Sequence, residues 1–169
     1  MKKEGVLKVK RLSSTAELPC YALDSDLGFD LRADESITLA PYEQKEVKTG
    51  VAIQIPDNHI GLIRDRAGIV TKMGVHTAAG TFDPGFRGEV SIVLINFGEQ
   101  TIQVEKGMRI AQMIIMPVSK VKIQEVKSLP LTERYDRGFL STGLNNGEKE
   151  KNKNTRIFRF KRKKEVKNA

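Results

Sequence analysis

The chain has 169 residues, 39% of them hydrophobic, which suits one domain with its own core, and no apolar run approaches the ~18–20 residues of a membrane span. Cys20 is the single cysteine and His59 and His76 are the only histidines, so an internal disulfide and a Cys/His metal cluster are both excluded. The formal charge of +8 is unevenly held: residues 148–169 contain 10 Lys/Arg against 3 Asp/Glu and the other 147 residues contain 19 against 18, so the near-neutral body argues against a nucleic-acid-binding fold.

Met1–Gly5 has a basic start with no apolar stretch behind it and is not read as a secretory signal; with a lone cysteine this sets a reducing, cytoplasmic location as the expectation. Val6–Leu12 alternates weakly and predicts a strand. Glu46–Pro56 alternates well, with Val47, Thr49, Val51, Ile53 and Ile55 on one face, which is the period of a half-buried strand. Ile60–Arg64, Glu89–Phe97, Thr101–Glu105, Ile110–Pro117 and Lys120–Val126 complete the predicted strands, most rich in Val and Ile and bounded by turn residues. Gly68–Met73 is the one candidate helix. Val90–Ile95 and Met108–Met116 are apolar on both faces, which places them between two sheets or in a subunit interface. Many short strands with frequent turn signals predict an all-β sandwich, jelly roll or related barrel. Cys20 is expected to be a small buried apolar group. From Leu129 the apolar periodicity ends. Residues 131–147, with Gly138, Gly143 and Gly147 among Ser, Thr and Asn, read as a flexible arm, and 148–169 as a basic disordered tail suited at most to weak contact with nucleic acid or an anionic surface. The body therefore spans 1–130.

Five segments pair glycine with charged or hydroxylated residues, as close backbone approach to an anion requires. Leu27–Leu31 sets Asp30 between apolar neighbours, where a carboxylate needs hydrogen bonds or a ligand. Arg64–Gly68 puts two arginines at a strand end before glycine, a phosphate clamp or an exposed ion-pair cluster. Thr77–Glu89 contains Asp83-Pro84-Gly85-Phe86, which fits a type II turn of a hairpin with Asp83 at its mouth; small residues before it leave backbone groups bare to read a flat base. Gly107–Met113 holds Gln112 in an apolar run, where the amide must find a partner in the core or on a ligand. Arg134–Gly143 flanks Phe139 with glycines, Ser141, Thr142 and arginines, which suits a lid with an aromatic over a base.

In this order the five closely resemble the dUTPase family over about residues 5–144, most specifically in Gly80–Val90, Gly107–Gln112 and Gly138–Gly143. The resemblance implies a jelly-roll-like, distorted barrel of the β-clip kind. It also implies a homotrimer with active sites shared between subunits, closed by the arm of one of them, and hydrolysis of dUTP to dUMP and pyrophosphate, which keeps uracil out of DNA and supplies dUMP for dTMP synthesis. It assigns Asp83 to activating water for attack on the α-phosphorus, and Asp30 to holding a Mg²⁺ cofactor through water. Arg66, Ala67 and Gly68 match the phosphate loop. The stretch from Thr77 through Gly80, Thr81 and Phe82 to Phe86 matches the uracil-reading hairpin, with Phe86 under the deoxyribose. Gln112 falls beside the phosphates, Arg134, Ser141 and Thr142 match arm contacts to phosphate, and Phe139 stacks on uracil. Ala67 departs from a usual Ser, Thr77 from a frequent Asn, and Tyr135, Arg137 and Leu140 from glycines; Arg137 is expected to offset Ala67 in part. Two other readings stand beside this one. A dCTP deaminase of the same fold needs a catalytic Glu in the strand after the hairpin, and Ser91–Ile95 has no carboxylate. A catalytically weakened dUTP-binding regulator is the second, motivated by Ala67 and the altered arm.

Overall fold

The structure is a computed structural model that describes residues 6–132. The chain divides into two compact units, 1–122 and 123–169.

The first unit is built on antiparallel sheets. β1 (Lys8–Arg11), β4 (Gln44–Gln54), β8 (Glu89–Asn96) and β6 (Val75–Ala78) form one sheet in the order β1-β4-β8-β6. β2 (Gly28–Arg32), β10 (Arg109–Pro117), β5 (His59–Arg64) and β7 (Thr81–Phe82) form a second in the order β2-β10-β5-β7, and β3 (Ile37–Leu39) pairs with β9 (Ile102–Val104). The all-β expectation holds, and the one helix among the described residues, α1 (Ala67–Met73), starts one residue before its predicted position.

The predicted inner face of β4 is borne out, with Val47, Thr49, Val51 and Ile53, and Ile55 just beyond the strand, all buried. The alternation itself stops at Thr49, because Gly50 and Ala52 are buried too, at a register shift between Lys48 and Ala52. Val47, Val51, Ile53 and Ile55 meet Leu31, Val90, Ile92, Leu94, Ile110 and Met113 in one core, a burial of apolar surface that dominates the folding free energy. The inner face of β8 is closed off, while Ser91, Val93 and Ile95 on its other face are half-buried; Ile114 and Ile115 of β10 are likewise half-covered. These strands are thus fully buried on one face only within the chain.

Three expectations fail. Lys120–Val126 forms no strand, and Val121, Ile123 and Val126 are exposed, because a strand needs a neighbour for its backbone groups and none is supplied among the described residues. The 83–86 turn closes through Phe86 N–H to the Asp83 carbonyl at 3.1 Å, yet Gly85 is not among the residues at positive φ. It is therefore not a type II turn; Pro84 at the second position suits type I equally. Nor does it join paired strands: β7 before it pairs with β5 and β8 after it with β4 and β6, so the hairpin is the wider one of β6 and β8. Cys20 is exposed, since it sits on an edge bridge opposite Asp30, whose N–H it accepts at 2.8 Å through its carbonyl.

Asn96, at the end of β8, is wholly buried and ties two connections together, the one after β3 and the one after β8. Its amide N–H groups reach the carbonyls of Leu39, Ala40 and Gln100 at 3.3, 3.1 and 2.8 Å, and its side-chain oxygen accepts from Gly98 N–H at 2.9 Å. Asn96→Ala strands these groups, so denaturation is expected to show a loss of about 2–3 kcal/mol; an unchanged midpoint would mean that water replaces the amide.

Candidate active site

The second sheet positions the first half of the site. β2 places Asp30 in register with Gln112 of β10, which in turn faces Arg64 of β5. Asp30 is 6% exposed and is held by two cations: Arg66 Nε donates to Oδ1 at 2.7 Å and Arg109 donates to Oδ2 at 3.2 Å. A buried carboxylate needs such partners. Here it also fixes the guanidinium of Arg66 at the mouth of a cavity of about 360 Å³, lined by Asp30, Arg66, Ala67, Gly68 and Gln112 with Gly28 and Asp26. Gln112 donates to the Asp65 carbonyl at 2.8 Å, and a side chain at Gly28 would meet its Oε1 at 2.6 Å, so the glycine makes room for the amide. A Cβ at Gly68 would meet nothing within 4 Å, so packing does not demand this glycine.

A second cavity of about 370 Å³ opens beside the hairpin, lined by Ile63, Asp65, Thr77, Ala79, Gly80 and Thr81 among others. Gly80 has φ +147°, and a Cβ there would lie 2.5 Å from Ile63 Cβ; its carbonyl accepts Ile63 N–H at 2.8 Å. Only glycine fits so tight a contact in that conformation. Thr77 spends both its N–H and its hydroxyl on Asp65 Oδ1, at 2.6 and 2.7 Å. Phe82 packs against the core and edge-on to Phe86 at 5.6 Å, so the pair shares one ring cluster, with Phe86 41% exposed near the hairpin tip. Asp83 is exposed at the turn and lines neither cavity. Arg134, Phe139, Ser141 and Thr142 lie outside the described residues, as do Arg137 and the 148–169 tail.

The ionisation of Asp65 is shifted. Burial pulls its carboxyl up, but the Thr77 hydroxyl, the Thr77 N–H and the His76 ring together outweigh it and hold it below the ordinary 3.8. Its contribution to stability is therefore present above that ordinary value and is lost as the pH falls through the lower folded one.

Arg109 is a site residue that the sequence patterns do not single out. A signal for it exists: an aspartate set between apolar residues needs cations, and Arg109 opens β10, the strand paired with β2. Asp26, which lines the first cavity, is likewise an addition made by the structure.

A dUTPase family model matches residues 14–143. The chain belongs to the dUTPase family. It is 47% identical over 142 residues to the deoxyuridine 5'-triphosphate nucleotidohydrolase of Clostridium tetani, covering 83% of this chain and 98% of that one. To the protein of the same name from Crocosphaera subtropica it is 44% identical over 140 residues, covering 82% and 99%. Among solved structures, a dUTPase mutant of Staphylococcus bacteriophage 80alpha with dUpNHpp aligns at a TM-score of 0.79 and 28% identity, covering 83% of this chain and all of that one. A mutant dUTPase of phage phi11 of S. aureus, described as coordinating a structural Mg(II) ion, aligns at 0.70 and 25%, covering 74% and 99%. The match to the dUTPase family begins just after β1 and takes in both cavities, the hairpin and the glycine-rich segment around Phe139.

Proposed function

We propose that this dUTPase hydrolyses dUTP to dUMP and pyrophosphate, with Asp83 accepting a proton from a water that attacks the α-phosphorus. The observation that carries the reading is the phosphate-side cavity. Arg66 is preset by Asp30, Gln112 is preset by the Asp65 carbonyl, and Gly68 leaves the backbone bare, a polar grip built before any ligand arrives. Preorganised donors of this kind stabilise charge that develops in phosphoryl transfer. The hairpin from Thr77 to Phe86 reads the base through backbone groups around Gly80 and Thr81, and a pocket whose polar groups match uracil leaves those of cytosine mispaired. The half-exposed Phe86 ring is the surface against which a 2′-hydroxyl is excluded.

Asp30 fits a Mg²⁺ held through water. A carboxylate accepts about four hydrogen bonds, and two of its positions are taken by arginines. Among the described residues no group of three or more His, Cys, Asp or Glu could cage a metal directly. Mg²⁺ retains waters and binds substrate phosphates rather than protein cages, and when bound it neutralises phosphate charge. Asp30 would orient its waters while holding Arg66.

The trimer with shared sites is part of the same proposal. The grip and the hairpin line separate cavities on one chain, and Asp83 lines neither, so each complete site draws its halves from different copies. Half-buried outer faces on β8 and β10 offer apolar surface for those copies. Among the described residues no helix is long and apolar enough to cross a membrane; the cytoplasmic location rests on the lone cysteine.

The test is incubation with dUTP, dCTP, dTTP and UTP plus Mg²⁺, following pyrophosphate and ammonia. Pyrophosphate from dUTP alone supports the reading. Ammonia from dCTP supports a deaminase, and tight dUTP binding without turnover a regulator. Ala67 is exposed at the first position of α1 and lines the phosphate-side cavity. Restoring a hydroxyl by Ala67→Ser is expected to raise kcat/KM for dUTP about tenfold. No gain would mean that the phosphate does not approach this position.

A further inference from the structure

Between the two cavities sits a carboxylate with no part in the phosphate grip. Asp65 joins β5 to α1, and its main chain serves the first cavity: its carbonyl fixes Gln112 at 2.8 Å, and the next residue, Arg66, is the one Asp30 holds. Its side chain faces the other way. Oδ1 accepts the N–H and the hydroxyl of Thr77 at 2.6 and 2.7 Å, and Oδ2 accepts from His76 Nδ1 at 2.9 Å. His76 is in turn set edge-on to Phe97 at 5.4 Å. One carboxylate thus takes three hydrogen bonds from two successive residues at the root of the hairpin.

The backbone just beyond His76 and Thr77 is strained and needs holding. Ala79 has φ +59° and Gly80 has φ +147°, and alanine in the left-handed region persists only where its surroundings over-determine it. Two pins bracket Ala79: the Asp65 clamp on Thr77 before it, and the Ile63 N–H to Gly80 carbonyl bond at 2.8 Å after it. β6 pairs Ala78 with Val93 and β7 pairs Thr81 with Leu62. Within that frame the Asp65 clamp is the side-chain tie on the strand leading into Ala79, and its loss lets residues 79 and 80 relax. Thr77's hydroxyl, turned inward onto Asp65, is not left to a ligand; its work is to hold the backbone.

We infer that Asp65 is a positioning residue for base selection, fixing the strained hairpin backbone through Thr77 and His76 while its own carbonyl fixes the phosphate-side amide of Gln112. This rests on the dUTP-hydrolysis reading and adds to it the residue that sets the shape of the base pocket.

The test compares wild type, Asp65→Ala, Asp65→Asn and Thr77→Val in steady-state turnover of dUTP and dCTP, with thermal melting alongside. In Asp65→Ala, KM for dUTP is expected to rise about tenfold and the kcat/KM preference for dUTP over dCTP to fall about tenfold. Asp65→Asn keeps an acceptor for Thr77 and should retain the preference within about threefold. Thr77→Val, which loses the hydroxyl bond but keeps the N–H, should fall between, and it decides the matter if Asp65→Ala does not fold. A carboxylate with a merely structural role would lower the melting temperature and leave KM and the preference unchanged in Asp65→Ala and Thr77→Val; that result overturns the inference while wild-type turnover of dUTP stands. Absence of dUTP turnover in wild type overturns the underlying reading instead.

Discussion

Asp83→Asn is expected to lower kcat for dUTP by about 10³-fold, within the 10²–10⁴ that a positioned general base contributes, with the melting temperature unchanged. The separation of the two effects comes from where the side chain sits. Asp83 is exposed at the hairpin turn, and its carbonyl, which the substitution keeps, closes that turn on Phe86 N–H. Its carboxylate makes no hydrogen bond or ion pair among the described residues, so the fold loses nothing when one oxygen becomes NH₂. The amide cannot accept a proton from water, and the size is unchanged, so dUTP binding should persist. Steady-state kinetics with a nucleotide-binding titration checks this. A kcat within about threefold of wild type would remove Asp83 from the chemistry.

Arg66→Ala is expected to act on both stability and catalysis. Asp30, 7% exposed in its side chain, would keep only Arg109 at 3.2 Å. Breaking a buried pair by removing one partner costs about 3–5 kcal/mol; the retained second arginine and the 26% exposure of the Arg66 side chain place this case near 2–3 kcal/mol. Loss of a preset donor from the phosphate cavity adds about 10²–10³ in kcat. Asp30→Asn added to Arg66→Ala removes the buried charge left behind and should recover part of the stability and none of the turnover. Urea denaturation and kinetics on the single and double variants separate the terms. If Arg66→Ala alone leaves turnover intact, the cavity does not hold the phosphates.

The strands that could be read from sequence are those whose side chains sort cleanly by face. β4 alternates between core and solvent in its first half, before a continuously buried stretch from Thr49 to Ile53, and β8 and β10 are dense in branched residues. β2 escapes such a reading because Asp30 breaks its apolar run, and only the two arginines, distant in sequence, make that carboxylate tolerable there. Lys120–Val126 has the alternation of a strand without a partner among the described residues, and pattern alone does not count partners. The 83–86 turn has the residues of type II, but Pro84 suits either type and Gly85 is permitted, not compelled, to take positive φ.

The candidate site was legible where a polar residue sits in glycine-rich surroundings, as at Arg66 and Gln112, which line one cavity. It was obscure where a residue acts through another. Arg109 touches Asp30, and Asp65 touches Thr77, His76 and, by its carbonyl, Gln112; neither sits in a spacing that announces its role. The division of grip and hairpin between two cavities depends on strand order, β7 pairing with β5 and β6 with β8, which no local pattern specifies.

The most direct measurement of the chemistry is turnover of dUTP in ¹⁸O-water with isotope analysis of both products. Attack on the α-phosphorus by an Asp83-activated water puts the label in dUMP and leaves the pyrophosphate unlabelled, and the labelled dUMP disappears in Asp83→Asn. Label in the pyrophosphate, or undiminished labelled dUMP from the variant, would contradict it.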